Sequence, residues 1–299
     1  MTNIALIGAG SMAKNYINTL DHFPNARISI VLAKSKKNLN KLKGNFIKTT
    51  KIADVLTQKN IGAVIISSPA NTHFQLISIF QKMGINILVE KPFVTSLLEA
   101  NKIKKIKSKS NILIAHTLLF HPVYLAIKKL IRNEQIKSIS FEGYNNNPRK
   151  DTTLLWDWGP HPISIFLDLL KTNPNKIKAE LSSKNEAHFL IYFGEVKGSF
   201  KIGWKSKKKI RRLEIITNKN TYSFDDLKYP NLEINSLKEF NISFPKVIQT
   251  TPLENLIDYF IKPSIKNNSI SNIDFGIKVT KVLEACQKSQ KNKGQLVKA

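Results

Sequence analysis

The chain has 299 residues, of which 42% are hydrophobic and 23% charged, and it contains a single cysteine. This composition is typical of a globular protein with one large or two ordinary domains. It excludes an internal disulfide framework, and no apolar run approaches the roughly 20 residues that a membrane-spanning helix needs. The net charge of +26 is spread along the chain, without the interleaved aromatic residues of a nucleic-acid platform. We therefore expect an anionic substrate or cofactor and no nucleic-acid or membrane partner.

The first residues run almost directly into an apolar segment, with neither a basic leader nor a cleavage site. The cysteine, Cys286, lies in a helical pattern and fits a reducing compartment. We therefore expect a cytoplasmic protein. No cluster of His, Cys and acidic residues has metal-ligand spacing, so no metal site is predicted.

The first 116 residues alternate short apolar runs with helical patterns, which is typical of βαβ units and a parallel sheet covered on both faces. The predicted strands lie in the segments 3–10, 27–33, 61–69, 85–92 and 111–116. The predicted helices between them include 11–22, 72–83 and 95–108.

A different pattern begins after about residue 118. A helix at 122–133 is followed by short strands with tight turns between several of them, which favours an antiparallel sheet. These strands are predicted at 136–144, 177–183, 187–193, 196–204, 210–218 and 221–226. Two helices, 252–265 and 274–289, end the chain.

The segment GAGSMA, residues 8–13, fits the pattern G-x-G-x-x-A between a predicted strand and a predicted helix. In such turns Gly8 permits the tight bend, Gly10 lets a pyrophosphate approach the backbone, and Ala13 allows close helix packing. The context favours dinucleotide binding over a glycine turn without a ligand.

The end of the second strand predicts the choice of cofactor. NAD enzymes usually carry an acid there for the ribose hydroxyls, whereas this chain reads VLAKSKKN and has no Asp or Glu between Asp21 and Asp54. Lys34 and Ser35 would suit a ribose 2′-phosphate, so we predict NADP(H) over NAD(H). The alternative is a solvated basic loop in a lysine-rich protein.

Three further motifs are SSPANTH at 67–73, EKP at 90–92 and WDWGPHPISI at 156–165. With the glycine motif, they resemble the glucose–fructose oxidoreductase, inositol dehydrogenase and rhizopine-catabolism (Gfo/Idh/MocA) family of NAD(P)-dependent oxidoreductases, over nearly the whole chain. The resemblance implies an α/β fold with a doubly wound Rossmann domain at 1–117. It also implies an α+β domain at 118–299 with an open, mainly antiparallel sheet. The C-terminal helices are candidates for packing back on the first domain.

The resemblance also implies the site residues. Lys91 would stand beside the nicotinamide, with Asp157 and His161 facing it from the second domain. Glu90 would be structural or would orient the ribose side, and His73 is either a cofactor contact or a structural cap. The full set of cofactor-binding candidates is Gly8, Gly10, Ser11, Met12, Lys34, Ser35, Ser67, Pro69, Asn71, His73, Glu90 and Lys91.

Alcohol oxidation explains these residue types. Imidazole titrates near neutrality and suits a general base, so His161 is the predicted proton-transfer group. The ammonium of Lys91 would stabilise a developing alkoxide, and Asp157 would position substrate or base. On a helix starting near Pro160, positions 157 and 161 fall on one side about a turn apart.

The second-domain motif WDWGPHPISI, with a tryptophan before the Asp, resembles the form found in family members of nucleotide-sugar and surface-polysaccharide biosynthesis. Candidates for substrate binding are Arg149, Trp158, Lys209 and Arg211. The basic residues among them could equally cap a lysine-rich sheet. Pro162 follows His161 where the family would have an acid, which leaves the substrate open.

We expect hydride transfer to or from a sugar or nucleotide-sugar ring carbon, in a homodimer or homotetramer formed through the C-terminal sheet. A free polyol or aldose dehydrogenase and a non-catalytic NAD(P)-binding sensor are the alternatives.

Overall fold

The fold is described from a computed structural model, which covers residues 1–229, 231–237, 242–243, 245, 250–262 and 270–299. The chain divides into two units. Unit 1 comprises Met1–His116 and Leu253–Ile277, and unit 2 comprises Thr117–Pro252 and Lys278–Ala299. Residues 263–265 of the predicted helix 252–265 lie outside the described residues.

The secondary structure of the described residues runs as follows. The strands are β1 (Thr2–Ile7), β2 (Ala26–Leu32), β3 (Ile47–Thr49), β4 (Ile61–Ile66), β5 (Asn86–Glu90), β6 (Ile112–Ala115), β7 (Ile136–Tyr144), β8 (Lys176–Ser182), β9 (Glu186–Phe193), β10 (Val196–Gly203), β11 (Ile210–Thr217), β12 (Asn220–Asp225), β13 (Leu232–Ser236), β14 (Ile242–Ser243) and β15 (Val297–Lys298). The helices are α1 (Ser11–Leu20), α2 (Lys36–Asn40), α3 (Ile52–Leu56), α4 (His73–Lys82), α5 (Leu97–Lys104), α6 (Pro122–Leu130), α7 (Leu154–Trp158), α8 (Pro160–Leu170), α9 (Pro252–Ile261) and α10 (Ile273–Lys291).

Unit 1 contains a six-stranded parallel sheet in the order β3-β2-β1-β4-β5-β6. This is the doubly wound order of dinucleotide-binding domains, so the predicted Rossmann fold is confirmed. Its central strands are apolar on both faces because helices cover both sides, and Val64, Ile65 and Ile66 are fully buried. Sequence analysis missed β3, because two of its three side chains are exposed and no apolar run marks it.

Residues 253–277 belong to unit 1. Sequence analysis placed them in the segment 118–299 and named the C-terminal helices as candidates for packing back on the first domain. The Ile114 N–H, on the edge strand β6, donates to the Ser271 carbonyl at 2.9 Å. A Cβ built on Gly276 would lie 2.8 Å from Ile114 Cδ1 and 3.0 Å from the ring of Phe93. The helical pattern of the C-terminal segment predicts its helices but carries no signal for the strand they pack beside.

Unit 2 contains a nine-stranded sheet in the order β14-β13-β12-β11-β7-β10-β9-β8-β15 among the described residues. Strands β7 and β10 pair in parallel and the other neighbours pair antiparallel, so the mainly antiparallel sheet is confirmed. One face packs on α8, where Phe166 meets Phe200 edge to face at 6.5 Å. The Phe200 ring also stacks on the Phe189 ring, with the two ring centroids 4.9 Å apart. These aromatic contacts lie in the core of this unit.

The predicted start of a helix near Pro160 is confirmed, since Pro160 is the first residue of α8. The preceding helix α7 begins after Thr153, whose side chain accepts from the Trp156 N–H at 3.5 Å. Gly159 joins the two helices with helical dihedral angles, and a Cβ there would lie 2.5 Å from the Leu155 carbonyl oxygen. None of the described helices is both long and apolar enough to span a bilayer.

Candidate active site

The turn after β1 has two glycines with opposite surroundings. Gly8 is buried at φ +124°, and a Cβ on it would lie 2.8 Å from the backbone C and O of Ser67. A Cβ on Gly10 would have no atom within 4 Å. Ser11, which is exposed, and Met12, which is half-buried, begin α1, whose first turn carries no acid. The open space before this helix N-terminus fits a pyrophosphate group.

The S-x-P segment meets the glycine turn through Ser67, the residue after β4. Its N–H donates to the Ile7 carbonyl at 2.8 Å, and its hydroxyl lies 3.3 Å from the same oxygen. Pro69 and Asn71 are exposed just beyond it. The predicted cofactor contacts at 8, 10 and 67 are thus brought to one end of the parallel sheet.

The end of β2 carries cations. Lys34, Lys36 and Lys37 are exposed and have no ion pair within the described parts of the chain. The Ser35 hydroxyl accepts from the Asn38 N–H at 3.3 Å, which leaves its own proton available to an acceptor. This loop therefore presents three positive charges and a hydroxyl donor.

The His73 ring lies between two backbone segments. Its Nε2 is 2.9 Å from the Ser68 carbonyl oxygen, and its Nδ1 is 3.0 Å from the Pro92 oxygen and 3.3 Å from the Phe93 oxygen. The residue is 1% exposed. This geometry fits a role in holding the two segments together, and the alternative of a cofactor contact stays a prediction.

The E-K-P motif ends β5 and is anchored to α1. The buried Tyr16 hydroxyl donates to Glu90 Oε1 at 2.7 Å. Burial, and then the Glu90 carboxylate, raise the pKa of the Tyr16 hydroxyl well above its ordinary value, so it remains a donor. Lys91, the next residue, is half-buried. Glu90 therefore ties the strand before Lys91 to the helix that follows the glycine turn.

His116 is a neighbour of Lys91 that sequence reasoning missed. Glu90 pairs with Ala115 across β5 and β6, so Lys91 and His116 directly follow paired residues. Burial, with a smaller contribution from the charge of Lys91, lowers the pKa of His116 to about 3. The imidazole is therefore neutral, and its Nδ1 lies 2.6 Å from the Ser271 hydroxyl. The available signal was that the two residues lie at the ends of consecutive predicted strands, 85–92 and 111–116.

In unit 2 the Asp157 carboxylate is held at both oxygens. The Trp204 indole Nε1 donates to Oδ2 at 3.2 Å, and Arg149 Nη1 donates to Oδ1 at 3.4 Å. Asp157 is 7% exposed. Trp204, directly after β10, is a candidate site residue that lies in the predicted strand 196–204 but that sequence analysis did not select. The two donors fix the orientation of the carboxylate.

His161 stands in the first turn of α8, and its ring meets the Trp158 ring edge-on at 5.8 Å. Trp158 packs on β7, where a Cβ on Gly143 would lie 2.5 Å from the indole. Trp158 is 5% exposed, and its Nε1 has no hydrogen-bond partner among the described residues. Trp158 is therefore a buried aromatic neighbour of His161. Position 143 is a glycine because a side chain there would collide with the Trp158 indole.

The two arginines predicted to bind substrate are engaged by acids. Arg149 donates through Nε and Nη2 to Asp151, at 2.9 and 2.5 Å, besides its contact with Asp157. Arg211 donates to Asp226 at 2.5 Å. Lys209, in contrast, is exposed and without an ion pair among the described residues. Positive charge for an anionic substrate therefore comes from lysine more readily than from these arginines.

The structure thus gathers the predicted residues into two sets, one in each unit. Lys91 and the cofactor candidates lie in unit 1, and Asp157, Trp158 and His161 lie in unit 2. The predicted approach of Lys91 to Asp157 and His161 stays a prediction. Within the described residues, no group of three or more His, Cys, Asp or Glu side chains could hold a metal ion.

Comparison with known proteins supports the resemblance found in the sequence. Residues 2–117 match the model of the Gfo/Idh/MocA oxidoreductase family, which has an NAD-binding Rossmann fold. This part of the chain is therefore similar to that family. An uncharacterized oxidoreductase of Schizosaccharomyces pombe is 27% identical over 152 residues, which are 46% of this chain and 41% of that protein. The chain spans about half the length of the curated relatives it matches, namely 41, 57 and 50% for three of them.

Two solved structures have the same fold across almost the whole chain. An oxidoreductase of Magnetospirillum magnetotacticum has a TM-score of 0.85 and 25% identity, over 95% of this chain and 99% of that one. The UDP-N-acetylglucosamine 3-dehydrogenase of Acidithiobacillus ferrooxidans has a TM-score of 0.84 and 16% identity, over 96 and 97%. At such identity the second match shows the fold alone.

Proposed function

We propose that this protein transfers hydride between a nicotinamide cofactor and a ring carbon of a sugar in the cytoplasm, and that the sugar is linked to a nucleotide. The observation that carries the proposal is the clamped carboxylate of Asp157. Trp204 and Arg149 hold it one turn before His161, in the unit that does not contain the glycine turn. A fixed carboxylate and an imidazole suit recognition and deprotonation of a sugar hydroxyl.

The glycine turn supports the part of the proposal that concerns the cofactor. The open space at Gly10 and the acid-free first turn of α1 fit a dinucleotide pyrophosphate. When bound, the nicotinamide supplies the hydride acceptor or donor. Lys34, Lys36 and the Ser35 hydroxyl support NADP(H) over NAD(H), because cations and a donor suit a ribose 2′-phosphate.

The chain's own residues then divide the proton chemistry. His161 accepts the hydroxyl proton in the oxidation direction and returns it in reduction. The Lys91 ammonium stabilises the developing alkoxide. Asp157, already oriented by Trp204, accepts a hydrogen bond from a neighbouring hydroxyl or orients the base.

The substrate half is supported by the loop between β10 and β11. Four lysines in this loop are exposed and lack ion pairs within the described residues. They are Lys205, Lys207, Lys208 and Lys209. The loop begins at Trp204, the residue that holds Asp157, and the Ser206 N–H donates to the Asn145 carbonyl at 3.1 Å. This charge suits a diphosphate, as carried by the substrate named for the Acidithiobacillus dehydrogenase.

The outer face of the unit 2 sheet also supports self-association into a homodimer or homotetramer. It carries charges of both signs, with Lys201 3.8 Å from Glu142 and Arg212 2.8 Å from Asp225. Mixed charge of this kind can pair with a second copy of itself. Light scattering of the purified protein tests this directly, and a strict monomer would contradict it.

The function is tested by incubating the protein with NADP+ or NAD+ and a panel of UDP- and dTDP-linked sugars while nicotinamide absorbance is followed. We expect turnover of a nucleotide-linked sugar that falls by about 100-fold or more in Lys91→Met. Reduction of the oxidised panel sugars by NADPH tests the reverse direction. If sugars without a nucleotide were turned over with the same kcat/KM as nucleotide-linked sugars, the nucleotide assignment would be contradicted. If the protein turned over no sugar and its cellular role survived Lys91→Met, the catalytic function would be contradicted.

The lysine loop is tested by the triple variant Lys207→Gln, Lys208→Gln and Lys209→Gln. We expect kcat/KM for the nucleotide-linked sugar to fall about tenfold or more, mainly through KM. A matched triple variant on and after α5, which removes the same charge in unit 1, should have little effect. Its positions are Lys102, Lys105 and Lys109. Equal losses in the two variants would show that net charge alone is responsible.

A further inference from the structure

The contacts of His73 raise a question of protonation that the proposed function leaves open. Both ring nitrogens face carbonyl oxygens: Nε2 faces Ser68 at 2.9 Å, and Nδ1 faces Pro92 at 3.0 Å and Phe93 at 3.3 Å. A carbonyl oxygen only accepts hydrogen bonds. Each nitrogen therefore needs a proton for its contact to be favourable.

A neutral imidazole has one N–H and one lone pair, whichever tautomer it adopts. In either tautomer one of the two short contacts of His73 would set a lone pair against a carbonyl oxygen. The imidazolium has two N–H groups and satisfies both sides with charge-assisted hydrogen bonds. The residue is 1% exposed, so these contacts are shielded from bulk solvent.

The two segments that His73 joins carry site residues. Ser68 follows Ser67, which packs against the glycine turn, and Pro92 follows Lys91. On the other side of Lys91, Glu90 is held by the Tyr16 hydroxyl at 2.7 Å. The backbone of Lys91 is therefore anchored on both sides by buried hydrogen bonds, one from α1 and one from α4.

We propose that His73 is a positioning residue that, as an imidazolium, ties the backbone after β4 to the backbone after Lys91 and so fixes where the Lys91 ammonium stands. His73 touches neither substrate nor cofactor in this role. The kinetic part of the proposal rests on the proposed function, whereas the protonation part does not.

The protonation of His73 is tested by nitrogen NMR on the full-length protein labelled with 15N-histidine. The chain has six histidines, and the resonances of His73 are assigned by their loss in His73→Gln or by elimination with variants of the other five. At about pH 7.5, we expect both ring nitrogens of His73 to give the shift of a protonated nitrogen. A shift typical of an unprotonated nitrogen at either position of His73 overturns the imidazolium.

The positioning role is tested by a double-mutant cycle with Lys91. We expect His73→Gln to lower kcat about 10- to 100-fold on the panel sugar that is turned over, because Lys91 is misplaced. In a Lys91→Met background the same change should cost less than about threefold. Equal losses in the two backgrounds overturn the proposal. The control is His22→Gln, on the surface of unit 1, which should match the wild type.

Binding of NAD+, followed by intrinsic fluorescence, separates positioning from cofactor contact. We expect the Kd to change by less than about threefold in His73→Gln, because both ring nitrogens are occupied by backbone carbonyls. A loss of tenfold or more would make His73 a cofactor contact and overturn the proposal. If no sugar of the panel is turned over by the wild type, the proposed function fails, while the NMR and NAD+ measurements still decide the state and role of His73.

Discussion

The two units hold their candidate groups by different means. In unit 1 the contacts are largely to backbone: Gly8 packs on the Ser67 main chain, and His73 faces three carbonyl oxygens. In unit 2 they are between side chains: Asp157 lies between an arginine and a tryptophan. Main-chain contacts depend on the fold more than on individual side chains. The residues that match the family model, 2–117, lie almost entirely in unit 1.

The comparison is tested most strongly by the two glycines of unit 1. Gly10→Val should weaken NAD+ binding about 100-fold or more, equivalent to about 2.7 kcal/mol, because the side chain fills the space before α1. It should cost less than about 1 kcal/mol of unfolding free energy, since no protein atom is near. Gly8→Ala should instead cost about 2–3 kcal/mol, because of its positive φ and the Ser67 contact at 2.8 Å. Calorimetry measures NAD+ binding, and urea unfolding measures stability. If Gly10→Val mainly lowered stability and Gly8→Ala mainly weakened NAD+ binding, the roles assigned to the two glycines would be refuted.

The stability of unit 2 should depend on a buried charge cluster. Asp168, 2% exposed, accepts from Tyr124, Lys128 and Lys171. Asp168→Asn should lower the free energy of unfolding by about 2–4 kcal/mol, because Lys128 loses its counter-ion. Urea unfolding measures the loss. The exposed pair of Asp258 and Lys262 provides the control, and Asp258→Asn should change stability by less than about 0.5 kcal/mol.

The same cluster sets an acid limit. Burial alone would raise the pKa of Asp168, but the hydrogen bonds from Lys128, Lys171 and Tyr124 hold it below its ordinary value. A lowered carboxyl pKa contributes stability above the unfolded value of about 4, and this contribution is lost as the pH falls through the folded pKa. The Asp168→Asn variant should therefore lose less stability than the wild type below about pH 4. Parallel acid unfolding curves would rule out this linkage.

Unit 1 should respond to pH through a histidine. His116 has a pKa of about 3 when folded and about 6.5 when unfolded, so the unfolded chain binds the extra proton. Stability therefore falls as the pH drops below about 6.5, by about 2 kcal/mol between pH 7.5 and pH 5. We expect this part of the pH dependence to disappear in His116→Asn. An unchanged slope of unfolding free energy against pH would show that His116 is not responsible.

The smallest expected effect concerns the clamp on Asp157. Trp204→Phe keeps an aromatic ring but removes the donor at 3.2 Å, so kcat/KM should fall about tenfold as the carboxylate loses its orientation. Trp156→Phe is the matched control, because its indole donates at 3.2 Å to Gln287 and not to the site. Steady-state kinetics on the panel sugar distinguishes them, and similar losses in both variants would remove Trp204 from the site.

Much of the fold could be predicted because the strands of unit 1 are continuous apolar runs and those of unit 2 are separated by short turns. For Leu253–Ile277 the family resemblance suggested packing on the first domain, but the helical pattern of the segment does not encode which strand it packs beside. Candidate site residues could be named where a motif is local, as for Gly8 and Lys91. Tyr16 and Trp204 were missed, since their partners lie 74 and 47 positions away and depend on how the strands and helices assemble.

The discontinuity of unit 1 bears on how the protein is synthesised. The ribosome delivers Met1–His116 before Thr117–Pro252, and Leu253–Ile277 only after that whole segment of unit 2. Until Leu253–Ile277 has been made, Ile273 and Ile277 cannot pack against the hydrophobic core of unit 1. The Ile114 N–H also lacks its acceptor, the Ser271 carbonyl. An uncovered strand edge of this kind invites pairing with other chains. A fragment that stops at residue 117, where the family match ends, would keep that edge uncovered permanently.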